Sequence, residues 1–425
     1  MTPWLFLAAS VIGAGFTASA LLRGRRLSAL VVPYFFAAWL TSELALHHLV
    51  WQAVATVALV AAGALAAWPG WVALAITAVS WVGLVRLHGR AGLSAEVFAR
   101  ALRDGLGSHA HPVAEVRPPS ASVSWRRIAR PFRMRRPEVE RLRDIPYGPA
   151  GHRHLLDVYR PRERSGPCPT LLQIHGGGWT IGRKEQQGLP LMHHLAADGW
   201  LCVAANYRLS PRATFPDHLM DVKRALAWIR TEGASYGADP HFVVITGGSA
   251  GAHLASLAAL TANDPQFQPG FEDVDTSVAA CVPFYGVYDF LDRHGLRSST
   301  SRLPFLARVV MKSSPDEQPA LWDAASPITR VHAEAPPFFV IHGTHDALAW
   351  VEEARHFVEA LRKVSRNPIV YAELPGAQHA FDTFHSRRSA HAVDAVTCFL
   401  EYVRALYVPP AHAEASPLPT RGRSC

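Results

Sequence analysis

The serine of Gly247-Gly248-Ser249-Ala250-Gly251 comes directly after the β-branched run Phe242-Val243-Val244-Ile245-Thr246 and directly before a helical stretch. G-x-S-x-G in that context bears chemistry. A sharp strand-to-helix turn holds the hydroxyl out in a strained conformation, and Gly247 and Gly251 relieve the crowding on either side. Chance alone supplies on the order of 0.1 to 0.2 such pentapeptides in a chain of this length, so the placement carries the weight. The helix N-terminus behind Ser249 also favours developing negative charge.

A second element, His175-Gly176-Gly177-Gly178-Trp179, follows Thr170-Leu171-Leu172-Gln173-Ile174. Successive glycines let bare backbone N–H groups approach a substrate oxygen, which a side chain would obstruct. Gly177 and Gly178, with the N–H of Ala250, are assigned to an oxyanion hole. A phosphate cradle would need a Gly-Lys-Ser/Thr ending that is not there, and a flexible turn leaves the flanking His175 and Trp179 unexplained. An acid and a base should then follow in the order Ser, Asp or Glu, His. Asp346 ends His342-Gly343-Thr344-His345-Asp346 just after the run Phe338 to Ile341, and His379 in Gln378-His379-Ala380-Phe381 follows the last apolar run. Asp289, Asp323 and Asp382 are rival acids and His345 and His385 rival bases, none in an equivalent place after a strand. His342 with His345, or His152 with His154, lack a carboxylate or cysteine to complete a ligand set. Neither a metal nor any other cofactor is expected.

These residues need a scaffold, and from 139 to 408 the pattern supplies one. Short β-rich runs alternate with helical stretches, as in a parallel or mixed sheet covered on both faces. Strands are predicted at 155–159, 170–174, 201–205, 242–246, 278–284, 338–341 and 369–373. Helices are predicted at 217–233, 250–261, 351–364 and 386–407, the first with Leu219, Val222, Leu226 and Ile229 on one face. Residues 287–333 fit neither pattern and read as an insertion that could cover a site.

The first 90 residues differ. Hydrophobic residues make up 49% of the chain, and the stretches 4–22, 28–46 and 51–87 are apolar enough to span the roughly 30 Å hydrocarbon layer of a bilayer. Pro69-Gly70 interrupts the last of them, giving one kinked segment or two shorter ones. Three or four spans are expected, so the chain reads as a multi-pass membrane protein. Glu43 is the sole ionised residue between 27 and 85, and it needs no special role near a span end, nor do His47 and His48. Arg23, Arg25 and Arg26 mark the first loop as cytoplasmic; Arg86, Arg90, Arg100 and Arg103 mark the far end likewise. An odd number of spans satisfies both groups and leaves residues 139–408 on the cytoplasmic face.

Between the two regions, 91–138 reads as a juxtamembrane segment. An amphipathic helix over 94–106 sets Val97, Phe98, Ala101 and Leu102 opposite Arg100, Arg103 and Asp104, and is expected along the membrane surface. A Pro- and Ser-rich linker follows over 107–123, then a basic, aromatic stretch from Trp125 to Arg136. The net charge of +8 and this stretch could suit nucleic acid, but beside apolar spans anionic lipid headgroups are the nearer partners. No nucleic-acid partner is expected. The tail 409–425 is Pro-rich and expected to be disordered. The five cysteines, with no CxxC pair, read as reduced and structural.

His175 to Trp179, Asn206-Tyr207-Arg208-Leu209-Ser210-Pro211 with Phe215-Pro216, Gly237-Ala238-Asp239-Pro240, Gly247 to Gly251, Asp346 and Gln378 to Phe381 together resemble the hormone-sensitive-lipase-like branch of α/β-hydrolases. The combination looks most like bacterial esterases with an N-terminal membrane segment. The resemblance implies a mostly parallel eight-stranded sheet with helices on both faces, and a small cap built from the segment before 139 and from 287–333. It also implies carboxylic ester hydrolysis through an acyl-enzyme on a small-molecule or lipid ester. Gly248, where the family commonly has Asp, and Ala252-His253 after the motif depart from the pattern. Amidases, arylformamidases and glycan deacetylases of this fold remain alternatives, as does an inactive receptor or scaffold.

Overall fold

The computed structural model describes residues 1–23, 31–107, 123–163, 166–296 and 302–407. Most of the linker at 107–123, the tail beyond 408, and Arg25 and Arg26 lie outside them.

The N-terminal region holds four apolar helices, α1 (Thr2–Leu21), α2 (Val31–Glu43), α3 (Ala45–Ala61) and α4 (Trp68–Gly92). Helices α1 and α4 run parallel. Ser10 meets Thr77 at 2.9 Å and, further along both helices, Thr17 meets Ser80 at 2.8 Å. Helix α3 returns between them, its Gln52 reaching the Gly13 carbonyl at 3.4 Å and Ser80 at 3.1 Å. The Pro69-Gly70 interruption gives two helices. A Cβ on Gly70 would stand 1.8 Å from the Ala64 carbonyl oxygen, so the chain can turn there only with glycine. The apolar run 28–46 breaks at its polar end, where α2 and α3 meet at 91°. By length and composition, Thr2–Leu21 and Trp68–Gly107 could each cross a membrane, and the bent pair α2–α3 could add a third crossing.

Helices α5 (Ser94–Gly107) and α6 (Trp125–Ile128) lead into the α/β part. In chain order this comprises β1 (Val139–Pro146), β2 (Leu155–Pro161), β3 (Cys168–Ile174), α7 (Leu189–Ala197), β4 (Leu201–Ala205), α8 (Asp217–Thr231), α9 (Gly233–Tyr236), β5 (Ala238–Gly248) and α10 (Ala250–Leu260). It continues with β6 (Ala280–Phe284), α11 (Arg302–Phe305), α12 (Pro319–Ala324), β7 (Phe338–Gly343), α13 (Val351–Val364), β8 (Ile369–Leu374) and α14 (Arg387–Leu406). The eight strands lie in the order β1-β2-β4-β3-β5-β6-β7-β8. Pairings of β2 with β1 and β4 are antiparallel and all others parallel.

Both faces of this sheet are covered, so β3, β4, β6 and β7 are buried at every residue and read in sequence as mostly apolar runs without strict alternation. Residues of α8, α10 and α13 fill one face and residues of α5, α7 and α14 the other. Because β3, β5, β7 and β8 are parallel, the loops that follow them open at one edge, where such folds bind ligands.

One expectation is corrected. Helix α5 does not offer its apolar face to a membrane surface. Phe98 and Leu102 are fully buried, Phe98 stands edge-on to Phe339 at 6.1 Å, and Gly105 lies so close to Val370 that a Cβ would approach it to 2.8 Å. Amphipathic spacing states that a face must be covered, not by what. Strand β1 and helix α7, in turn, were not read from the sequence; β1 is an edge strand with a largely half-exposed pattern.

Candidate active site

Ser249 occupies the turn between β5 and α10 at φ 59° and ψ −121°, the strained geometry that the pentapeptide predicts. The flanking glycines are steric requirements. A Cβ on Gly251 would fall 2.2 Å from the Ile174 carbonyl oxygen, and one on Gly247 would fall 2.6 Å from the Gly251 carbonyl. The elbow is thus pressed against the end of β3, and the glycine loop that continues β3 lies beside the serine. A Cβ on Gly176 would be 3.0 Å from the Cβ of Ser249. The Gly176 N–H donates to Gln187 Oε1 at 2.7 Å. Among the described residues the N–H groups of Gly177 and Gly178 donate to nothing, and that of Ala250, first in α10, has no intrahelical carbonyl to meet.

His175 is not a reacting group. Its ring is buried, stacks on Tyr207 at 4.4 Å and contacts the Gly176 carbonyl through Nδ1 at 2.8 Å. Burial pushes its pKa down to about 4, so it is a neutral support for the loop. Trp179, also buried, donates through Nε1 to His253 Nδ1 at 3.3 Å. Phe305, in the insertion before β7, approaches Gly178 closely enough that a Cβ there would meet its ring at 3.9 Å, so part of 287–333 does flank the glycine loop.

Asp346 and His379 meet across the loops after β7 and β8. Nδ1 of His379 lies 2.6 Å from Oδ2 of Asp346, whose side chain is wholly buried. The other carboxylate oxygen accepts from the Leu348 and Ala349 N–H groups at 2.8 and 2.7 Å. His342 adds a contact at 3.3 Å. Burial opposes the charge on Asp346, but His379 and His342 outweigh it and hold the carboxyl well below the usual range. Gln378 ties the two loops, its Oε1 accepting from the Ala347 N–H at 2.7 Å and the His379 N–H at 3.1 Å.

Tyr285 links the two sides of the site. Its ring lies 4.5 Å from that of His379, and a Cβ on Gly248 would come within 2.6 Å of its hydroxyl. Gly248 is therefore a clearance for Tyr285, which explains the departure from the family pattern. The Tyr285 hydroxyl in turn donates to Asp382.

The rival acids and His345 have partners of their own, Asp382 on the Tyr285 side of the site. Asp289 and Asp323 pair with Arg293, Asp382 holds Tyr285, and His345 contacts the Ala20 carbonyl at the end of α1. Groups of histidine, cysteine and carboxylate able to hold a metal are absent among the described residues. Tyr285 was missed in the sequence because it follows β6 with no motif around it. His342 and Gln378 sit inside quoted motifs, where their roles as supports could have been suspected.

A family model described as BD-FAE matches residues 156–361. The chain is 48% identical to a probable carboxylic ester hydrolase, LipM, of Mycobacterium tuberculosis over 364 residues, covering 81% of each protein. That alignment spans more positions than residues 139–408 contain. It is also 51% identical to the esterase LipQ of the same organism, over 60% of this chain and 61% of that one. Among solved structures, Thermogutta terrifontis esterase 2 in its native form is 26% identical with a TM-score of 0.51, covering 67% of this chain and 98% of its own. Esterase B of Lactobacillus rhamnosis, at 21% identity and a TM-score of 0.54 over 64% of this chain and 88% of its own, shares the fold.

Proposed function

The chain belongs to the hormone-sensitive-lipase-like family of α/β-hydrolase esterases, and from that premise we propose that it hydrolyses carboxylic esters with Ser249 as nucleophile, His379 as general base and Asp346 as the acid of the triad. The observation that carries the reading is the 2.6 Å contact between His379 and a buried, charged Asp346 at the sheet edge where the strained Ser249 turn also opens. Asp346 fixes Nδ1 as the protonated nitrogen and leaves Nε2 to accept a proton. Ser249 Oγ attacks the ester carbonyl carbon while His379 takes the hydroxyl proton. The carbonyl oxygen becomes an anion, which the N–H groups of Gly177, Gly178 and Ala250 stabilise. Collapse expels the alcohol, which leaves with the proton from His379. Water, deprotonated by the same imidazole, then attacks the acyl carbon; the acid is released as the C–Oγ bond breaks and the imidazole returns the proton to Ser249 Oγ.

Residues 1–90 form the membrane region in this reading, 91–138 the connection, and 139–408 the catalytic domain. The parallel α1 and α4, with α3 returning between them, favour three crossings. Arg23 and the arginines from Arg86 onward then lie on the side of the α/β domain, where Arg23 pairs with Glu352 at 3.0 Å. The positive-inside rule makes that side cytoplasmic.

The direct test is hydrolysis of p-nitrophenyl acetate, butyrate and laurate by the full chain and by Ser249→Ala, with fluorophosphonate labelling of Ser249 alongside. Wild-type turnover with neither turnover nor labelling in the variant is expected. Full activity in Ser249→Ala sinks the assignment. A C-terminal reporter that reads as external overturns the topology alone.

A further inference from the structure

Helix α2 is apolar, yet it does not align with the bundle. It meets α3 at 91°, so with α1, α3 and α4 along the membrane normal it lies in the plane between the bilayer and the α/β domain. Its sides differ. Phe35, Ala38, Thr41, Ser42 and Glu43 are buried, while Val32 and Phe36 are 54% and 49% exposed and would face lipid.

The buried side rests on the loop that carries His379. Phe35 stands edge-on to the imidazole, ring centres 6.1 Å apart. Trp39 packs on Phe384 at 5.3 Å and donates through Nε1 to the Ala380 carbonyl at 2.9 Å. Glu43 fixes the end of the helix. It pairs with Arg388 at 2.7 Å, both side chains fully buried, and accepts from Ser386 at 2.8 Å. Arg388 also donates to the Pro375 carbonyl at 3.2 Å, at the start of the His379 loop. These ties hold the helix over one side of the imidazole.

That side has a chemical meaning if His379 is the base. The imidazole that takes the serine proton must hand it to the departing alcohol, so the alcohol half of the ester leaves beside this ring. We propose that Phe35 and Trp39 form a wall of the alcohol subsite, and that the preferred substrate is an ester with an apolar, bilayer-resident alcohol portion entering along α2. This rests on the assignment of Ser249 and His379. An apolar wall discriminates by chain length or bulk on the group it touches, typically by about 10-fold or more per well-placed contact.

The test uses the full chain in phospholipid vesicles, with two substrate series read by acid release or colour. Methyl, hexyl and dodecyl acetate vary the alcohol; p-nitrophenyl butyrate and laurate vary the acyl group. The dodecyl-to-methyl ratio of kcat/KM is expected to fall about 10-fold in Phe35→Ala and less in Phe35→Leu. The laurate-to-butyrate ratio and fluorophosphonate labelling of Ser249 should hold. Val57→Ala, on an exposed part of α3, should change neither ratio. An unchanged alcohol ratio in a labelled, active Phe35→Ala overturns the proposal, as does an equal loss on methyl and dodecyl acetate. Loss of labelling in wild type would instead overturn the triad assignment.

Discussion

Around Ser249, positions are fixed by what the backbone has no room for; around His379, they are fixed by bonds that side chains make. Gly247, Gly251 and Gly176 admit no Cβ without collision with β3, the elbow or Ser249 itself, so the serine turn has one arrangement. Asp346 and His379 sit on loops joined by Gln378, by two N–H donors and by His342, and a helix from the far N-terminus rests against them. The histidines divide the same way. Those behind Ser249, His175 and His253, are buried with ring and carbonyl groups as their direct partners, whereas His342 and His379 face Asp346. A site half cast in backbone and half assembled from side chains should fail in two different ways.

The largest effect is expected at Gly251. In Gly251→Val the side chain would run into the Ile174 carbonyl, and neither the β3 end nor the elbow can yield. The expected outcome is loss of folded, detergent-extracted protein and of fluorophosphonate labelling together, read by size exclusion in detergent and gel fluorescence. A folded, labelled Gly251→Val would show that the elbow is not sterically fixed. Asp346→Asn attacks the other half. The fold should survive, since the amide oxygen can still accept from Leu348 and Ala349, but the imidazole loses its charged partner and its tautomer. A fall in kcat of about 10,000-fold is expected, with an unfolding midpoint close to wild type; a fall of only a few-fold would mean another group orients His379.

Glu43→Leu tests whether the N-terminal bundle belongs to the side-chain half. It leaves the buried Arg388 guanidinium unpaired, a change that costs about 3 to 5 kcal/mol where a partner of a buried pair is removed. The expected result is increased proteolysis between the bundle and the α/β domain together with reduced activity. Glu43→Leu with Arg388→Met should recover most of the stability, since an apolar pair of similar volume avoids the stranded charge. If the single variant is as resistant to protease as wild type, the ion pair does not hold the two regions together.

The same division explains what the sequence made legible. Backbone-determined features leave local signatures: the elbow, the glycine loop, the strand before each of Asp346 and His379, and most strands and helices lie close to their expected places. Features determined by side chains meeting from afar leave none. Tyr285 follows β6 in a stretch without motif, and its contact with His379 joins positions 94 residues apart. Glu43 read as an unremarkable span end because its partner lies 345 residues away. The α5 face read as lipid-facing because apolar spacing is the same whether Val370 or an acyl chain covers it. Gly248 read as an anomaly until Tyr285 occupied the space.

The smallest predicted effect concerns acid, where the two halves should differ in pH range. Burial holds His175 to about 4 and His253 to about 3 in the folded protein, against about 6.5 when unfolded. Above pH 6.5 both are neutral in either state and stability does not depend on them. As pH falls from 6.5 towards 4, the unfolded chain binds protons that the folded one refuses, so each histidine removes about 1.4 kcal/mol per pH unit. Asp346 acts in the same direction but at lower pH. Its folded pKa lies below the ordinary 3.8, so its contribution is intact throughout that window and is lost only as pH falls further, through the folded value. Denaturant titrations of the detergent-solubilised chain between pH 7 and 4 should therefore show declining stability. In His253→Gln the decline should be shallower by about 1.4 kcal/mol per unit. A slope unchanged in His253→Gln would mean that the buried histidines of the backbone half do not resist protonation in the folded chain.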